Sequence, residues 1–313
     1  NKAGRTDIIC VDDLTDGRKC ANLGGAEFME LCRAHTNHAT GFGGRSAGVV
    51  VHLGANSSTQ QTDGEQALAY NYRVATALYE RLEPGVKFIY ASSASVYGVH
   101  GKTPEDFSED PKNERPVSPY AFSKWMLDKY MRRAHTSRLR NAKKNPAIGL
   151  RFFNVYGPGE QHKDEMASFA HKLIAQYRAA RWPYSSPVEC PFIDGRAWSE
   201  KCIRDFVYID DVVNVIMWAI NQDVAPGIYN VGSGVSRSFV DVADTIKTFG
   251  RLHNLAYMRE SSAPSTLTAY QQVTYAPLER LRAAGYTDKF LTLEEGLVRF
   301  WNAMMPDYRV EQP

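Results

Sequence analysis

Short apolar runs alternate with longer amphipathic stretches along most of the chain. The runs are rich in Val, Ile, Leu and aromatic residues, which is typical of strands buried in a sheet. They lie at 6–13, 49–55, 87–93, 147–153, 203–209 and 227–232. The stretches between them place apolar residues at helical spacing. They predict helices at about 25–34, 63–83, 118–135, 166–180, 238–248 and 293–303.

This alternation predicts an α/β fold with a Rossmann-type, doubly wound parallel sheet and a smaller α/β C-terminal substrate lobe. Asp210 or Asp211 is expected to cap the helix that follows the strand at 203–209. The nucleotide-binding domain is predicted at 1–153, with elements returning to it at about 204–232 and 271–290. The substrate lobe takes 154–203, 233–270 and 291–313.

The first predicted strand ends in Asp12 and Asp13. In a dinucleotide-binding fold, an acid here contacts the adenosine ribose, and a Gly-rich turn lies about 20 residues earlier. No residues before this strand supply that turn, so we expect a first strand–helix unit to be missing from the chain as given. The glycines at 41–44 follow no apolar run and are interpreted as a connection.

Two cations follow this acidic pair. Arg18 or Lys19 suits the 2′-phosphate of NADP, although a solvated turn explains both residues equally well. The choice between NADP and NAD therefore stays open at this point.

Composition narrows the class of protein. The 313 residues carry 37 basic and 35 acidic side chains, a net charge of +2, without the basic stripe of a nucleic-acid-binding protein. No apolar run approaches the roughly 20 residues of a membrane span. The five cysteines are widely spaced and odd in number, which favours a reducing, cytoplasmic location over a disulfide framework or a metal site.

The main candidate for chemistry is the pair Tyr120 and Lys124. Residues four apart on a helix lie on the same face, so the lysine ammonium is expected to lower the pKa of the phenol and make it an acid/base near neutral pH. An ordinary exposed helical pair has the same spacing. Ser93, at the end of a predicted strand, suits a hydrogen bond to a substrate oxygen, or to its own turn backbone.

Four segments in order resemble the extended short-chain dehydrogenase/reductase family. They are Ser92-Ser93-Ala94-Ser95-Val96-Tyr97-Gly98, Ser118-Pro119-Tyr120-Ala121-Phe122-Ser123-Lys124, Arg151-Phe152-Phe153-Asn154-Val155-Tyr156-Gly157-Pro158 and Arg204-Asp205-Phe206-Val207-Tyr208-Ile209-Asp210-Asp211-Val212. Within that family the chain resembles the branch that epimerises C6″ of ADP-heptoses. This finer resemblance rests chiefly on His162-Lys163 followed by Met166-Ala167-Ser168.

The resemblance implies a role for each matching residue. The implied catalytic residues are Tyr120, Lys124, Ser93 and a second acid/base, Lys163. The implied NADP contacts are Asp12, Asp13, Lys19, Leu53, Gly54, Ala55, Asn56, Ser57, Lys124, Val155 and Lys163. The implied substrate contacts are Ser93, Asn154, Lys172, Arg204 and Tyr270. It also implies a homo-oligomer, a homopentamer, acting on a small nucleotide sugar without nucleic acid or membrane as partner.

Three positions depart from the family pattern. Glu165 stands where a small substrate-binding serine is usual, and Lys172 where a histidine is expected. Tyr70 replaces a cofactor-contacting asparagine, with Asn71 next to it. These departures leave open another nucleotide-sugar epimerase or dehydratase that uses NAD with a UDP- or GDP-sugar. The missing Gly-rich turn leaves open a non-catalytic NADP-binding sensor.

Overall fold

The computed structural model describes residues 1–33, 47–58, 62–136, 145–179, 188–190, 202–249, 255–257 and 271–311. The predicted connection at 41–44 lies outside these residues. The strands described are β1 (Ile9–Asp12), β2 (Glu30–Arg33), β3 (Val49–His52), β4 (Lys87–Ser93), β5 (Ala147–Phe152), β6 (Asn154–Tyr156), β7 (Val188–Cys190), β8 (Ile203–Tyr208), β9 (Gly227–Val231), β10 (Ser236–Ser238) and β11 (Leu255–Tyr257). The helices described are α1 (Cys20–Leu23), α2 (Gly64–Leu68), α3 (Val74–Arg81), α4 (Pro119–Thr136), α5 (Phe169–Ala179), α6 (Ile209–Asn221), α7 (Phe239–Phe249), α8 (Glu279–Ala283) and α9 (Leu293–Met304).

Four parallel strands in the order β3-β4-β5-β9 form the main sheet. Leu127 and Met131 of α4 pack with α3 on one face, and Val215 of α6 packs with Leu281 of α8 on the other. Burial on both faces explains why these strands are almost continuously apolar. The doubly wound fold predicted from the sequence is confirmed.

Smaller sheets and a second core complete the structure. β8 pairs in parallel with β6 and antiparallel with β10. Around this sheet, α5, α7 and α9 bury a cluster that includes Leu173, Ile246, Leu297 and Phe300. β1 pairs with β2, and β7 with β11, both in parallel. The proposed domain boundaries stay a prediction.

Most of the predicted helices are confirmed, and two local predictions are wrong. The expected helix at 25–34 is replaced in part by β2, because the side chains at 30–33 alternate between half-buried and exposed, a period of two. The N-cap of α6 is Tyr208, not Asp210 or Asp211. Both acids instead lie in the first turn, where their charge favours the helix dipole, and Asp211 accepts a hydrogen bond from the Leu291 amide at 2.9 Å.

No helix in the described part of the chain has the length and apolar content needed to cross a membrane.

Candidate active site

The structure brings Ser93, Tyr120 and Lys124 to one end of the main sheet. Ser93 is the last residue of β4, and Tyr120 lies in the first turn of α4. One turn further, Lys124 is only 3% exposed, and its Nζ donates a hydrogen bond of 2.9 Å to the Ala91 carbonyl. That Nζ is 6.0 Å from the centroid of the Tyr120 ring. The same-face arrangement predicted from the spacing of four is therefore present.

Burial changes the pKa values of this pair in opposite directions. It raises the pKa of Tyr120, and a hydrogen bond with the Ser93 side chain acts against that rise. It lowers the pKa of Lys124 to about 8, with the charge of Asp128 opposing the change. The expectation that Lys124 brings the pKa of Tyr120 toward neutrality is not met here, because desolvation of the phenolate outweighs the interactions that favour it.

Ser93 has an additional role in its turn. Its Oγ accepts hydrogen bonds from the Ser95 amide at 3.2 Å and from Ser95 Oγ at 3.0 Å. It therefore caps the 3₁₀ turn Ala94–Tyr97 as well as contacting Tyr120. The turn-capping prediction is confirmed, and a hydrogen bond from Ser93 to a substrate oxygen stays a prediction.

The segment 53–57 follows β3, next to β4, and Asn71 joins it to helix α4. The Asn56 amide donates to Asn71 Oδ1 at 2.7 Å, and Asn71 Nδ2 donates to the Asn56 carbonyl at 3.0 Å. Asn71 Nδ2 also donates to Ser123 Oγ at 3.0 Å, and this hydroxyl donates to the Tyr120 carbonyl at 2.7 Å. The predicted cofactor segment and Tyr120 are thus connected by one buried amide.

A π-helical turn at Ala69–Arg73 decides which residue makes these contacts. Asn71 is 1% exposed, whereas the side chain of Tyr70 is 41% exposed. A π turn accommodates one extra residue, which rotates the following positions around the helix axis. Asn71, and not Tyr70, therefore makes the buried contacts at this turn, and a contact of Asn71 with the cofactor stays a prediction.

Asn154 and Val155 lie beside this group. They start β6 immediately beyond β5, whose last residue, Phe152, is paired with Ser93. The carboxyl ends of β3, β4 and β5 meet at one edge of the sheet, where α/β proteins place their ligands. This edge carries three groups of predicted site residues: segment 53–57, Ser93, and Asn154 with Val155.

Lys163 lies in a separate turn that buried Glu160 organises. Glu160 accepts hydrogen bonds from the Ser168 amide at 2.8 Å and from Ser168 Oγ at 2.7 Å. Lys163 Nζ lies 3.7 Å from Glu160 Oε2, and its side chain is 41% exposed. Glu160 is a positioning residue that the sequence analysis did not identify, since no motif or spacing marks it.

The residues at the two departing positions, 165 and 172, contact each other. Lys172 Nζ donates a hydrogen bond of 2.6 Å to the Glu165 carbonyl and lies 3.8 Å from Glu165 Oε2. The carboxylate of Glu165 is exposed and forms a surface pair with this cation from α5. The role of Lys172 in substrate binding stays a prediction.

Arg204 is 4% exposed and lies beneath the segment that follows residue 270. Its Nη1 donates to the carbonyls of Ile203 at 3.1 Å and Gln272 at 2.5 Å. Tyr270 lies outside the described residues. Both predicted substrate contacts stay predictions.

Another group of predicted cofactor residues, Asp12, Asp13 and Lys19, lies at the end of β1 and just after it. Lys19 Nζ donates to Asp12 Oδ1 at 3.0 Å and to the Asp13 carbonyl at 2.7 Å. Carboxylates suit ribose hydroxyls and an ammonium suits a phosphate, so this donor set fits the adenosine end of a dinucleotide. Lys124 and Ser93 fit its nicotinamide end. Residues that fit a pyrophosphate turn were not found in the described chain.

A groove on the surface is formed by residues other than the predicted site residues. A groove of about 580 Å³ is lined by residues of the 158–161 segment, α5 and the end of α9, including His171 and Arg178. None of the predicted site residues lines it. Among the described residues, no cluster of His, Cys, Asp and Glu could hold a metal ion.

Comparisons with known proteins agree with this geometry. Residues 1–232 match the NAD dependent epimerase/dehydratase family. The chain is 40% identical over 315 residues to the ADP-L-glycero-D-manno-heptose-6-epimerase of Pseudomonas paraeruginosa, covering 95% of this chain and 91% of that protein. It is 35% identical over 306 residues to the protein of the same name from Brachyspira hyodysenteriae, covering 96% and 90%.

A solved structure of the Helicobacter pylori ADP-L-glycero-D-manno-heptose-6-epimerase has the same fold. Its TM-score is 0.72 at 25% identity, covering 95% of this chain and 87% of that one. Fold, site and sequence similarity lead to one conclusion: the chain belongs to the NAD dependent epimerase/dehydratase family.

Proposed function

We propose that the chain is an isomerase that inverts C6″ of an ADP-heptose through transient oxidation and a 6″-keto intermediate. The observation that carries this proposal is the arrangement of Ser93, Tyr120 and Lys124 in a chain whose named relatives, matched over almost its whole length, are epimerases of that sugar nucleotide. A non-catalytic sensor has no need of this buried set.

The cofactor is a nicotinamide dinucleotide, and we propose NADP. When bound, it accepts a hydride from the sugar carbon and returns it. Asp12, Asp13 and Lys19 would hold its adenosine end, with Lys19 at the 2′-phosphate. Mass spectrometry of the cofactor released from the purified chain identifies it, and NAD as the main species would favour the alternative assignment.

Tyr120 and Lys124 act on the oxygen at C6″. Because burial raises the pKa of Tyr120, the phenol carries its proton and is suited to donate it to the carbonyl oxygen of the 6″-keto intermediate. The Lys124 ammonium then stabilises the phenolate that remains. When that epimer is oxidised instead, the Tyr120 phenolate accepts the proton of its C6″ hydroxyl. Tyr120 therefore serves both the oxidation and the reduction of one epimer.

Inversion requires the other face of the carbonyl to be reduced. The oxygen then points away from the first donor, so a second acid/base is useful on the opposite side of the sugar. We assign this role to Lys163, whose turn is held by Glu160 and α5. Lys172 and Arg204 are the proposed contacts to the rest of the nucleotide sugar.

Two variants test the assignment. Tyr120→Phe and Lys163→Ala are each assayed from the two epimers of the ADP-heptose, and each variant should lose at least about 100-fold in epimerisation because a proton donor is missing. Lys129→Ala, on the same helix as Tyr120, is the control and should keep the wild-type rate. If Lys163→Ala epimerises at that rate, the assignment of a second acid/base is wrong.

Assembly of the chain into a homo-oligomer, a homopentamer, stays a prediction.

A further inference from the structure

Arg18 joins the N-terminal segment to the turn that carries Lys163. Its Nη1 donates to the Gln161 carbonyl at 3.1 Å and to Asp164 Oδ1 at 2.5 Å. Its Nη2 donates to the His162 carbonyl at 3.3 Å and to Asp164 Oδ2 at 2.8 Å. One guanidinium therefore holds the backbone just before Lys163 and the carboxylate just after it.

A second pair of contacts fixes the same two segments. Asn22 Nδ2 donates to the Gly159 carbonyl at 2.9 Å, and Gln161 Nε2 donates to Asn22 Oδ1 at 3.1 Å. The segment 18–22 thus contacts the turn at several points over residues 159–164. These contacts distinguish Arg18 and Asp164 from an isolated surface ion pair, which has no further hydrogen bonds to hold its two side chains in place.

Asp164 is held in an unusual backbone conformation. Its φ of 46° is the one positive value among the non-glycine residues described. Asp and Asn tolerate this region better than most residues. The bidentate contact with Arg18 holds Asp164 in place, and with it the direction in which the preceding residue, Lys163, leaves the turn.

The two neighbouring cations, Arg18 and Lys19, face different partners. Lys19 contacts Asp12 and the Asp13 carbonyl, at the predicted adenosine end of the cofactor site. Arg18 also pairs with Asp16 at 2.7 Å, but its remaining contacts are all to the turn at 161–164. The residue types alone suit either cation to a 2′-phosphate, and in the structure the two cations contact different segments.

We propose that Arg18 is a positioning residue for Lys163, and that through it the adenosine end of the cofactor site and the second acid/base are coupled. This inference rests on the proposed function. Cofactor bound at Asp12–Lys19 would order the segment that Arg18 belongs to, and so order the turn at 159–164. Linkage between binding and ordering is reciprocal, so a variant that loosens the turn also weakens cofactor binding.

The test measures kcat for the full chain, with saturating NADP and each epimer, in Arg18→Ala and Asp164→Asn. Both variants should lower kcat by about tenfold because Lys163 is no longer held in place, with KM for the sugar nucleotide almost unchanged, and both should also raise the Kd of NADP. Asp164→Asn removes the charge while keeping a residue that tolerates the positive φ. Arg5→Ala is the matched control, because Arg5 makes a similar bidentate pair with Asp7, at 2.9 and 3.1 Å, and should leave kcat unchanged.

Combining Arg18→Ala with Lys163→Ala shows whether Arg18 acts through Lys163. If it does, the double variant is no slower than Lys163→Ala alone. Multiplying losses would mean that Arg18 acts elsewhere, and would overturn the inference. An increase confined to the Kd of NADP, with normal kcat, would also overturn it, since Arg18 would then serve the cofactor alone.

The failures of the two proposals are distinguishable. If Lys163→Ala is inactive while Arg18→Ala and Asp164→Asn turn over at the wild-type rate, the inference is wrong and the proposed function stands. If Lys163→Ala itself is fully active, the proposed function is wrong at this residue. Should Arg18→Ala not fold, as judged by its thermal transition, Asp164→Asn decides the question.

Discussion

Tyr120 and Lys124 show how burial can oppose the chemistry that a motif suggests. The ammonium of Lys124 is itself so strongly desolvated that its pKa falls to about 8, and it donates to the Ala91 carbonyl. The phenol of Tyr120 stays protonated because its anion would be buried. The phenol is therefore suited to donate a proton in the reduction half of the cycle, and its phenolate, stabilised by the Lys124 ammonium, accepts the hydroxyl proton in the oxidation half.

The pKa of Lys124 predicts a pH limit on activity. Below about pH 8 the side chain is an ammonium that stabilises the Tyr120 phenolate, and above that pH it becomes neutral and this stabilisation disappears. We expect kcat to fall as pH rises through about 8. The measurement is the pH profile of epimerisation with saturating NADP.

Lys124→Arg is the control for this prediction. A guanidinium does not titrate in this range, so the falling limb should be absent even where the maximal rate is lower. A wild-type profile that stays flat to about pH 9.5 would contradict the prediction.

Glu165 and Lys172, two departures from the family pattern, contact each other in the structure. Each substitution looks unfavourable alone, since a carboxylate beside a diphosphate is repelled. In the structure, Lys172 reaches back from α5 to the turn of Glu165. The turn at 163–166 is consequently held from α5 on one side and from Arg18 on the other.

Among the elements, the helical stretch from α2 to α3 has the clearest functional consequence. The period of apolar residues predicts one helix at 63–83, and the structure inserts a π turn at Ala69–Arg73 within it. This turn directs Asn71 inward, where it contacts both the Asn56 backbone and Ser123. π turns are frequent at functional sites for this reason.

Asn71→Ala should loosen the segment Leu53–Ser57 and weaken cofactor binding. The substitution leaves the Asn56 amide and carbonyl without their partner, which costs about 1–3 kcal/mol, or about 5- to 150-fold in the Kd of NADP if the cost falls on the bound conformation. Titration of NADP by calorimetry measures it.

Tyr70→Ala is the control, because this neighbouring side chain is exposed and should leave the Kd unchanged. If Tyr70→Ala weakens binding and Asn71→Ala does not, the assignment of Asn71 is wrong.

In the whole molecule, a buried charge network joins the main sheet to helix α4. Arg151 of β5 is fully buried and pairs with Asp128 of α4 at 2.7 Å and with Glu114. Asp128 also accepts hydrogen bonds from Tyr90 at 3.1 Å and Ser92 at 2.9 Å. Since Asp128 lies one helical turn beyond Lys124, the network fixes α4 against the end of β4 that carries Ser93.

Removing Arg151 should destabilise the fold strongly. Arg151→Met leaves buried Asp128 without its cation and Glu114 paired with Arg132 alone, and loss of one partner from a buried pair typically costs about 3–5 kcal/mol. Urea unfolding measures the change in the free energy of unfolding.

Arg73→Met is the matched control, since Arg73 pairs with Glu65 at 2.7 Å but both side chains are more than half exposed. Such surface pairs contribute about 0–1 kcal/mol. Equal losses in the two variants would contradict the assignment of a stabilising network.

The sequence by itself determined the features that depend on local pattern. The doubly wound sheet follows from apolar runs and helical periodicity, and the approach of Tyr120 to Lys124 follows from a spacing of four on one helix. The position of Ser93 at the end of β4 and of Asn154 beyond β5 follows from where the runs stop. These features need no knowledge of which elements are neighbours.

Tertiary structure alone decided the features that depend on distant contacts. The strand at 30–33 forms because β1 lies beside it, and the pKa of Tyr120 rises because the surrounding fold excludes water. Arg18 meets Asp164 across 146 positions of sequence, a separation over which no local pattern carries information. The motif of the acid/base pair is thus local, whereas its protonation state and the placement of Lys163 arise from long-range packing.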